Sequence, residues 1–536
     1  AKPSSNVQNL PKLPVPKLGD TLNKFLVTAQ PFLNDTEFAT TKTLVKEFEN
    51  GVGQKLQSLL EKRATQHQNW LEEWWLNTAY LEYRDPVVVF SSPGLVFPFR
   101  KFNSQKDQLM YAAKTLLAAL DYKSLIDNDK IPVEMMGKNQ LDMSQYKKIF
   151  GTCRIPFEKR DKLSFNDSKH ITVIHNNHKV VDSSQSPATD PIGILTSENR
   201  DNWAKAYQIL SKEKVNRESL LDVERSLVVL CLDGAAGVWS RDRDARFSLA
   251  AAQTIHGGGA ASHGANRWFD KTVQFIVGAD GITGLTYEHS PAEGQPIALF
   301  FTILTKKFSS TLETRQPVGQ EGFRKFDKYG KNFIKSHKMS PDSYLQMAMQ
   351  YAFYSLHQTP GAHYESAATR MYAGGRTETI RSCSPEAVAF ARAMLDRAAA
   401  PAAQLAALRR AVRAHKDYTA LQGFGVDRHL LGLKLTAIEN GIEIPKLYSD
   451  PGYVRSAHMR ISTSQVACKC DGFMCYGPLV GDGYATCYNP RDNDVNFATA
   501  AFAAHRDTSS ARYRAALERA LSDMHDVLLR TTQSKL

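Results

Sequence analysis

The sequence predicts an α/β protein built from more than one domain. Its 536 residues exceed the length of one ordinary domain. Short apolar runs of strand length alternate along the chain with longer segments of helical periodicity, which is the pattern of an α/β fold. Hydrophobic residues make up 42% of the chain, so disordered and collagen-like classes are excluded.

The N-terminal part begins with a proline-rich arm over residues 1–19 and continues with a helical pattern over residues 20–84. Trp70, Trp74 and Leu81 form one stripe of the last helix in this stretch, and Pro86 is expected to end it. Residues 87–90 read as a β-type run, and residues 106–128 return to a helical pattern.

The central and C-terminal parts alternate between strand-type apolar runs and segments of helical periodicity. Short continuous apolar runs, typical of buried strands, occupy residues 171–174, 226–232, 274–278 and 297–304. Helical patterns occupy residues 342–357, 385–416 with a break at Pro401, and about 510–529. A β block over residues 459–488 precedes the last of these helices.

The charge balance suggests an anionic partner or a solvated basic surface. Lys and Arg total 67 against 55 Asp and Glu, a formal charge of +12. No recognisable nucleic-acid-binding module accompanies this charge, so a nucleic-acid partner is not expected. The most apolar run, residues 296–304, is too short for a transmembrane segment. Seven cysteines, an odd number in a large chain, indicate reduced thiols rather than a disulfide framework.

The chain ends in Ser534, Lys535 and Leu536, a tripeptide that peroxisomal import receptors read at a free C-terminus. We therefore expect a peroxisomal matrix protein that binds such a receptor. The first residue is Ala1 rather than Met, which is consistent with a removed presequence and leaves a mitochondrial pool as an alternative.

Three polar features could carry chemistry. His289 and Glu293 lie four residues apart between two predicted strands, an arrangement that suits a general base and also a satisfied structural histidine. Ser462 and Ser464 would share one strand face and could bind an oxyanion or a polar substrate, although such runs are common on solvated strands. The basic segment 324–338 would place two lysines, Lys331 and Lys335, on one helical face, where they could bind phosphates or simply face solvent.

Taken together, ten ordered segments resemble the carnitine/choline acyltransferase family over nearly the whole chain. They are LPKLPVP at Leu10, NWLEEWW at Asn69, VVVFSSPG at Val87, GILTSENRDNWAKAY at Gly193, NRWFDKTVQFIV at Asn266, YEHSPAEG at Tyr287, YESAATRMYAGGRTETIRS at Tyr364, VDRHLLGLKL at Val426, STSQV at Ser462 and YGPLVGDGYATCYNP at Tyr476. The likeness is strongest to members that acetylate carnitine.

The resemblance implies two related α/β domains of the CoA-dependent acyltransferase type, with mixed sheets flanked by helices and an active-site tunnel between them. The N-terminal domain would span 88–310, and the C-terminal domain would combine 20–87 with 311–536. It also implies reversible transfer of an acetyl or other short acyl group between coenzyme A and carnitine, in a ternary complex without an acyl-enzyme. No resident metal and a monomeric state are expected.

The resemblance also assigns roles to residues. His289 would be the general base with Glu293 beside it, and Ser464 would stabilise the oxyanion. The family's CoA positions match Lys331, Lys335, Asp342 and Gln465. The family's carnitine positions match Tyr364, Thr377, Arg428, Ser462 and Tyr476.

Two positions bear on substrate choice. In choline-specific relatives the position of Arg428 is uncharged, so the resemblance favours carnitine, which has a carboxylate. Met474 falls where relatives that use longer acyl chains have glycine, so short acyl groups are expected. A choline acetyltransferase and a basic, non-enzymatic CoA-binding relative remain the alternatives.

The chain departs from the family pattern in three places. It is shorter than usual between residues 181 and 191 and between about 306 and 323. Glu378 stands where the family usually has aspartate.

Overall fold

The computed structural model describes residues 10–167, 169–179, 190–237, 243–311, 325–419, 424–466 and 472–533. These divide into two compact units of mixed α/β structure. Unit 1 comprises the described residues within 75–324 and 466–477, and unit 2 those within 10–74, 325–465 and 478–536. The described residues 466 and 472–477 therefore lie in unit 1, whereas the predicted boundaries assign them to the C-terminal domain. The C-terminal tripeptide Ser534, Lys535 and Leu536 and the cysteines Cys468 and Cys470 lie outside the described residues.

Unit 1 contains a seven-stranded mixed sheet. Its strands, in spatial order, are Phe473–Cys475, Gly94–Val96, Thr283–Tyr287, Val273–Gly278, Val229–Asp233, Thr172–His175 and His178–Lys179. The strand Val229–Asp233 is parallel to both of its neighbours, and the remaining pairs are antiparallel. Two small antiparallel pairs complete the β structure: Met135–Met136 with Asn139–Gln140, and Thr152–Ile155 with Lys162–Phe165.

The helical segments of unit 1 are a π-helical turn, two 3₁₀ turns and five α-helices. They are Asn77–Leu81, Ser144–Lys148, Ile192–Ser197, Gln105–Asp127, Arg200–Leu210, Lys214–Arg225, Arg243–His256 and Gly294–Thr311.

Two predictions for unit 1 are wrong. Residues 297–304 belong to the helix Gly294–Thr311 and not to a strand, because a continuous apolar run is equally compatible with a helix buried on most sides. Residues 87–90 form a tight turn instead of a strand. Val88 is extended there, and Val89 has a positive φ of 72°, which breaks any regular ladder.

Unit 2 contains a six-stranded mixed sheet. Its strands, in spatial order, are Lys325–Phe326, Val495–Ala500, Tyr484–Pro490, Ile461–Gln465, His363–Ala368 and Thr377–Arg381. The strand Ile461–Gln465 runs parallel to both neighbours, with Ser462 in register with Tyr364 on one side and with Ala485 on the other. The other pairs are antiparallel.

Helices of unit 2 pack around this sheet. They are Leu18–Ala29, Asp35–Asn50, Val52–Gln66, Glu72–Leu76 at the junction with unit 1, Lys331–Ser336, Pro341–His357, Pro385–Leu395, Pro401–Thr419, Asp427–Glu439, Pro451–Ala457 and Ser510–Gln533, with 3₁₀ turns at Gln30–Phe32 and Lys446–Ser449. The break predicted at Pro401 is confirmed, since that proline begins a new helix.

The helix Pro341–His357 forms the centre of the unit 2 core. All its residues from 343 to 353 are buried, so it is enclosed on every side, and it packs against Ser510–Gln533 among others. Its start is fixed by Pro341 in the first turn and by the Ser340 side chain, which accepts a hydrogen bond from the Ser343 N–H at 3.3 Å. This cap determines where Asp342 stands.

Two further findings concern the described residues of both units. None of the helices within the described ranges combines the length and the apolar character needed to cross a membrane. Five cysteines are buried free thiols: Cys153, Cys231, Cys383, Cys475 and Cys487.

Gly281 offers a test of the unit 1 sheet. It lies in the turn between Val273–Gly278 and Thr283–Tyr287 with φ of +84°, and a Cβ there would lie 1.8 Å from the Arg100 carbonyl oxygen. We expect Gly281→Ala to lower the free energy of unfolding by about 3 kcal/mol, because backbone strain and steric overlap add. Gly441→Ala is the matched control, since φ is +62° there but no atom lies within 4 Å, and it should cost about 1 kcal/mol. Urea unfolding measures both, and equal midpoints would contradict the steric argument.

Candidate active site

His289 lies in unit 1, two residues after the strand Thr283–Tyr287 ends. Its backbone N–H donates to the Ser91 carbonyl at 2.8 Å, which ties this segment to the turn after residues 87–90. The imidazole lies near two aromatic rings in almost parallel planes: Tyr80 at 5.7 Å and Tyr287 at 5.5 Å between centroids. The side chain keeps 19% of its surface exposed, so it is held in place and still accessible.

Both ring nitrogens of His289 have polar neighbours. The Tyr80 hydroxyl lies 3.0 Å from Nδ1, and a Glu293 carboxylate oxygen lies 3.4 Å from Nε2. Glu293 is itself anchored, because its backbone N–H donates to the buried Gln145 side chain at 2.8 Å. The ring is therefore oriented from both ends.

The buried guanidinium of Arg154 supports this arrangement from below the surface. It donates to the backbone carbonyl of Tyr80 at 2.6 Å and to the carboxylate of Glu288 at 3.3 Å. Its Nε donates to Asp161 at 2.7 Å. Glu288 also accepts hydrogen bonds from the side chains of Ser91 and Ser290. Arg154 thus holds in place both Tyr80, which contacts His289, and Glu288, which precedes His289 in the chain.

A second buried arginine extends the same network. Arg200 donates to Asp161 at 2.7 Å and to Asp270 at 2.6 Å. Asp270 also accepts from the indole N–H of Trp203 at 2.7 Å. The two carboxylates raise the pKa of Arg200 although its burial acts in the opposite direction, so the guanidinium stays charged.

The other predicted site residues of unit 1 are Met474, which lies in the strand Phe473–Cys475, and Tyr476, which follows it. Met474 is buried and pairs with Leu95 at the sheet edge. Its Cε would lie 3.5 Å from a Cβ built on Gly294, so the thioether reaches the segment that carries His289. Tyr476 is half-buried just beyond the strand.

The remaining predicted site residues lie in unit 2: Lys331, Lys335, Asp342, Tyr364, Thr377, Arg428, Ser462, Ser464 and Gln465. Tyr364 and Ser462 are direct neighbours on adjacent parallel strands. Arg428 stands in the first turn of Asp427–Glu439, and its Nε donates to the Thr377 carbonyl at 3.1 Å. Strand alternation puts Ser462 and Ser464 on one face, with Ser462 buried and Ser464 half-buried.

The predicted lysine pair stands on the short helix Lys331–Ser336. Lys331 forms a partly exposed ion pair with Asp492 at 2.9 Å, and Lys335 is exposed one turn later. An exposed pair of this kind contributes little to stability, so a phosphate can compete for Lys331 at small cost.

Asp342 belongs to a buried network with Glu365 and His415. His415 Nε2 lies 2.7 Å from Glu365, its Nδ1 lies 3.0 Å from the Ser343 hydroxyl, and the Tyr488 hydroxyl donates to Asp342. Burial, followed by the charge of Glu365, raises the pKa of Asp342 to about 7. Burial lowers the pKa of His415, but Glu365 and Asp342 outweigh it and leave the pKa raised.

Among the described residues, the spacing of Asp342, Glu365 and His415 would also suit a metal ion, because one potential ligand atom from each lies within 4.8 Å of the other two. Both imidazole nitrogens already face protein partners, so the donors fit a hydrogen-bonded network better than a metal centre. The expectation of a metal-free enzyme stays a prediction.

Sequence reasoning missed Tyr80, Arg154 and Glu288 as parts of this site. Tyr80 lies in a π-helical turn, a feature often found at functional sites, but the sequence pattern there reads as ordinary helix. Arg154 and Glu288 are 134 residues apart, and no local pattern connects them.

Arg154 provides a test of the supporting network. Arg154→Met should lower the free energy of unfolding of unit 1 by about 3–5 kcal/mol, because Asp161 and Glu288 would lose a buried countercharge. Arg160→Met is the control: Arg160 is 56% exposed and pairs with Glu82 at only 3.8 Å, so its loss should cost less than about 1 kcal/mol. Thermal and urea unfolding give both values, and similar losses would refute the role of Arg154.

Comparison with known proteins gives a consistent result. The family model for choline/carnitine O-acyltransferases matches residues 13–181, 178–322 and 319–519. A carnitine O-acetyltransferase from Columba livia is 43% identical over 98% of this chain and 94% of that protein. The human carnitine O-acetyltransferase is 41% identical over 98% and 95%, and the human choline O-acetyltransferase 36% over 99% and 81%. The chain therefore belongs to the choline/carnitine O-acyltransferase family.

Proposed function

We propose that this chain catalyses the reversible transfer of an acetyl or other short acyl group between coenzyme A and the hydroxyl of carnitine. The observation that carries this proposal is the full-length similarity to carnitine O-acetyltransferases, which exceeds the similarity to choline O-acetyltransferases. Arg428 supports the choice of carnitine, because a guanidinium can bind the carboxylate that choline lacks.

His289 is the proposed general base. It takes the proton from the carnitine hydroxyl in one direction and from the CoA thiol in the other, so a single base serves both. Glu293, at 3.4 Å, stabilises the imidazolium that forms, and Tyr80 keeps the ring in place. The oxygen or sulfur then attacks the acyl carbonyl directly, without an acyl-enzyme. The tetrahedral intermediate breaks its bond to the departing sulfur or oxygen, which receives the proton from the His289 imidazolium.

Ser464 is proposed to donate a hydrogen bond to the tetrahedral oxyanion, a contribution of about 10² to 10³ in rate for a well-placed donor. Lys331 and Lys335 are proposed to bind CoA phosphate, with Asp342 and Gln465 as further CoA contacts. Tyr364, Thr377 and Arg428 are proposed to bind the carnitine carboxylate and Ser462 a further polar group of carnitine. Tyr476 would face the trimethylammonium group through its aromatic ring.

The monomeric state and the peroxisomal location also stay proposals. Size-exclusion chromatography with light scattering tests the first. Fluorescence microscopy of the chain with and without Ser534, Lys535 and Leu536 tests the second, and an unchanged distribution would contradict it.

Thiol release from acetyl-CoA tests the activity. With carnitine as acceptor we expect turnover, and with choline little or none. Turnover with choline alone would instead indicate a choline acetyltransferase, and no turnover with either would refute the proposal.

His289→Ala tests the base. We expect kcat to fall by about 10² to 10⁴, because proton transfer in the transition state is lost. His170→Ala is the control, since His170 is an exposed histidine of the same unit whose Nε2 lies 2.8 Å from the Asp222 carbonyl oxygen, and the kcat of this variant should stay near wild type. A fully active His289→Ala variant would exclude the role.

Met474→Gly tests acyl-chain choice. Removing the side chain opens space beside Gly294, so we expect the ratio of kcat/KM for octanoyl-CoA over acetyl-CoA to rise about tenfold or more. Met135→Gly, at an exposed methionine of a small hairpin, should leave the ratio unchanged. An unchanged ratio in the folded Met474→Gly variant would contradict this assignment.

A further inference from the structure

Glu378 is a buried carboxylate placed directly behind Arg428. It lies on the strand Thr377–Arg381, and only 5% of its surface is exposed. Its Oε1 accepts the N–H of Thr379 at 2.8 Å and the N–H of Arg428 at 3.4 Å. A Cβ built on Gly425 would lie 2.4 Å from the Glu378 side chain, so the carboxylate packs tightly against the start of the helix Asp427–Glu439.

Within the described part of the chain, four charged groups face this carboxylate. Arg428 and Asp427 face it from the helix, Arg381 from its own strand and Lys24 from the helix Leu18–Ala29. Arg381 is engaged by Asp427 through two hydrogen bonds of 2.9 and 2.8 Å, and Lys24 donates to the Phe424 carbonyl at 2.7 Å.

Arg428 is thus the main countercharge for Glu378. Burial raises the pKa of Glu378 to about 7 even though Arg428 acts in the opposite direction.

The protonation state of Glu378 determines how much positive potential Arg428 offers to an incoming anion. When Glu378 is ionised, it neutralises Arg428 locally and repels a second carboxylate. When Glu378 is neutral, the full charge of Arg428 is available. The hydrogen bonds from the N–H groups of Thr379 and Arg428 can be kept in both states, since a neutral carboxyl retains acceptor oxygens.

We propose that Glu378 controls the strength of carnitine binding: in the molecules in which it is ionised, it takes up a proton from solvent when the carboxylate of carnitine binds near Arg428. Carnitine then binds more tightly to the form of the protein in which Glu378 is neutral. This inference rests on the proposed function and deepens it. It explains how the buried carboxyl group of Glu378 can lie next to Arg428, whose positive charge must attract the carboxylate of carnitine.

The direction of the pH dependence follows from the charges. The carboxylate and the quaternary ammonium of carnitine do not titrate between about pH 6 and 8. Bound carnitine raises the proton affinity of Glu378 further, so binding consumes a proton, and carnitine affinity falls as the pH rises. At the close distances of a shared buried site we expect Kd to increase about tenfold between about pH 6 and 8.

Isothermal titration calorimetry of the full chain with carnitine tests the proposal. Titrations at about pH 7 in two buffers of different protonation enthalpy count the protons taken up, and titrations at about pH 6 and 8 give the change in Kd. Wild type should take up a substantial fraction of one proton. Glu378→Gln should take up none and should keep the tighter Kd across this pH range.

Two further variants complete the design. Glu378→Asp, which retains a carboxyl group, should restore part of the pH dependence. Glu443→Gln removes an exposed carboxylate near the end of the helix that begins with Asp427, and it should behave like wild type.

Three results would overturn the proposal: no proton uptake by wild type, an unchanged pH dependence in Glu378→Gln, or a uniform loss of carnitine affinity in Glu378→Gln at every pH. The third would assign Glu378 a purely structural role. If Glu378→Gln does not fold, the wild-type proton count still decides. Turnover with carnitine but no proton uptake would refute this inference alone, whereas absence of turnover would refute the proposed function.

Discussion

The buried guanidinium of Arg154 is the constraint on which the His289 region depends. An arginine in a protein interior stays charged, so each of its donors requires an acceptor and its countercharges must be buried with it. Asp161, Glu288 and the carbonyl of Tyr80 meet this requirement. Because the last two lie beside His289, the electrostatic demand of one buried cation also fixes the surroundings of the proposed base.

Unit 2 balances its buried carboxyl groups differently from the carboxylates around Arg154. Its two carboxyl groups with raised pKa values, Asp342 and Glu378, lie close to groups of the proposed substrate sites, and neither has a guanidinium wholly committed to it. Asp342 is balanced against Glu365 and His415, and Glu378 against Arg428. The carboxylates that Arg154 contacts are paired with a buried cation, whereas Asp342 and Glu378 are carboxyl groups whose charge can change near neutral pH.

Much of the fold and several residues of the candidate site could be predicted from the sequence, because the signals that indicate them are local. Periodicity placed Ser462 and Ser464 on one strand and the lysines 331 and 335 on one helix. The run 297–304 was assigned to a strand because apolar composition alone does not distinguish a buried strand from a buried helix. Contacts such as Arg154 with Glu288 were beyond prediction, since they join distant residues that carry no shared local pattern.

The edge strand Phe473–Cys475 has a consequence for biosynthesis. It completes the unit 1 sheet against Gly94–Val96, yet it leaves the ribosome about 150 residues after the rest of that unit. At about 5–20 residues per second, the edge formed by Gly94–Val96 waits roughly 8 to 30 s for its partner. During that interval it presents unpaired backbone groups that other nascent chains can bind. Unit 1 therefore cannot complete its sheet until residue 475 of the 536 has been synthesised.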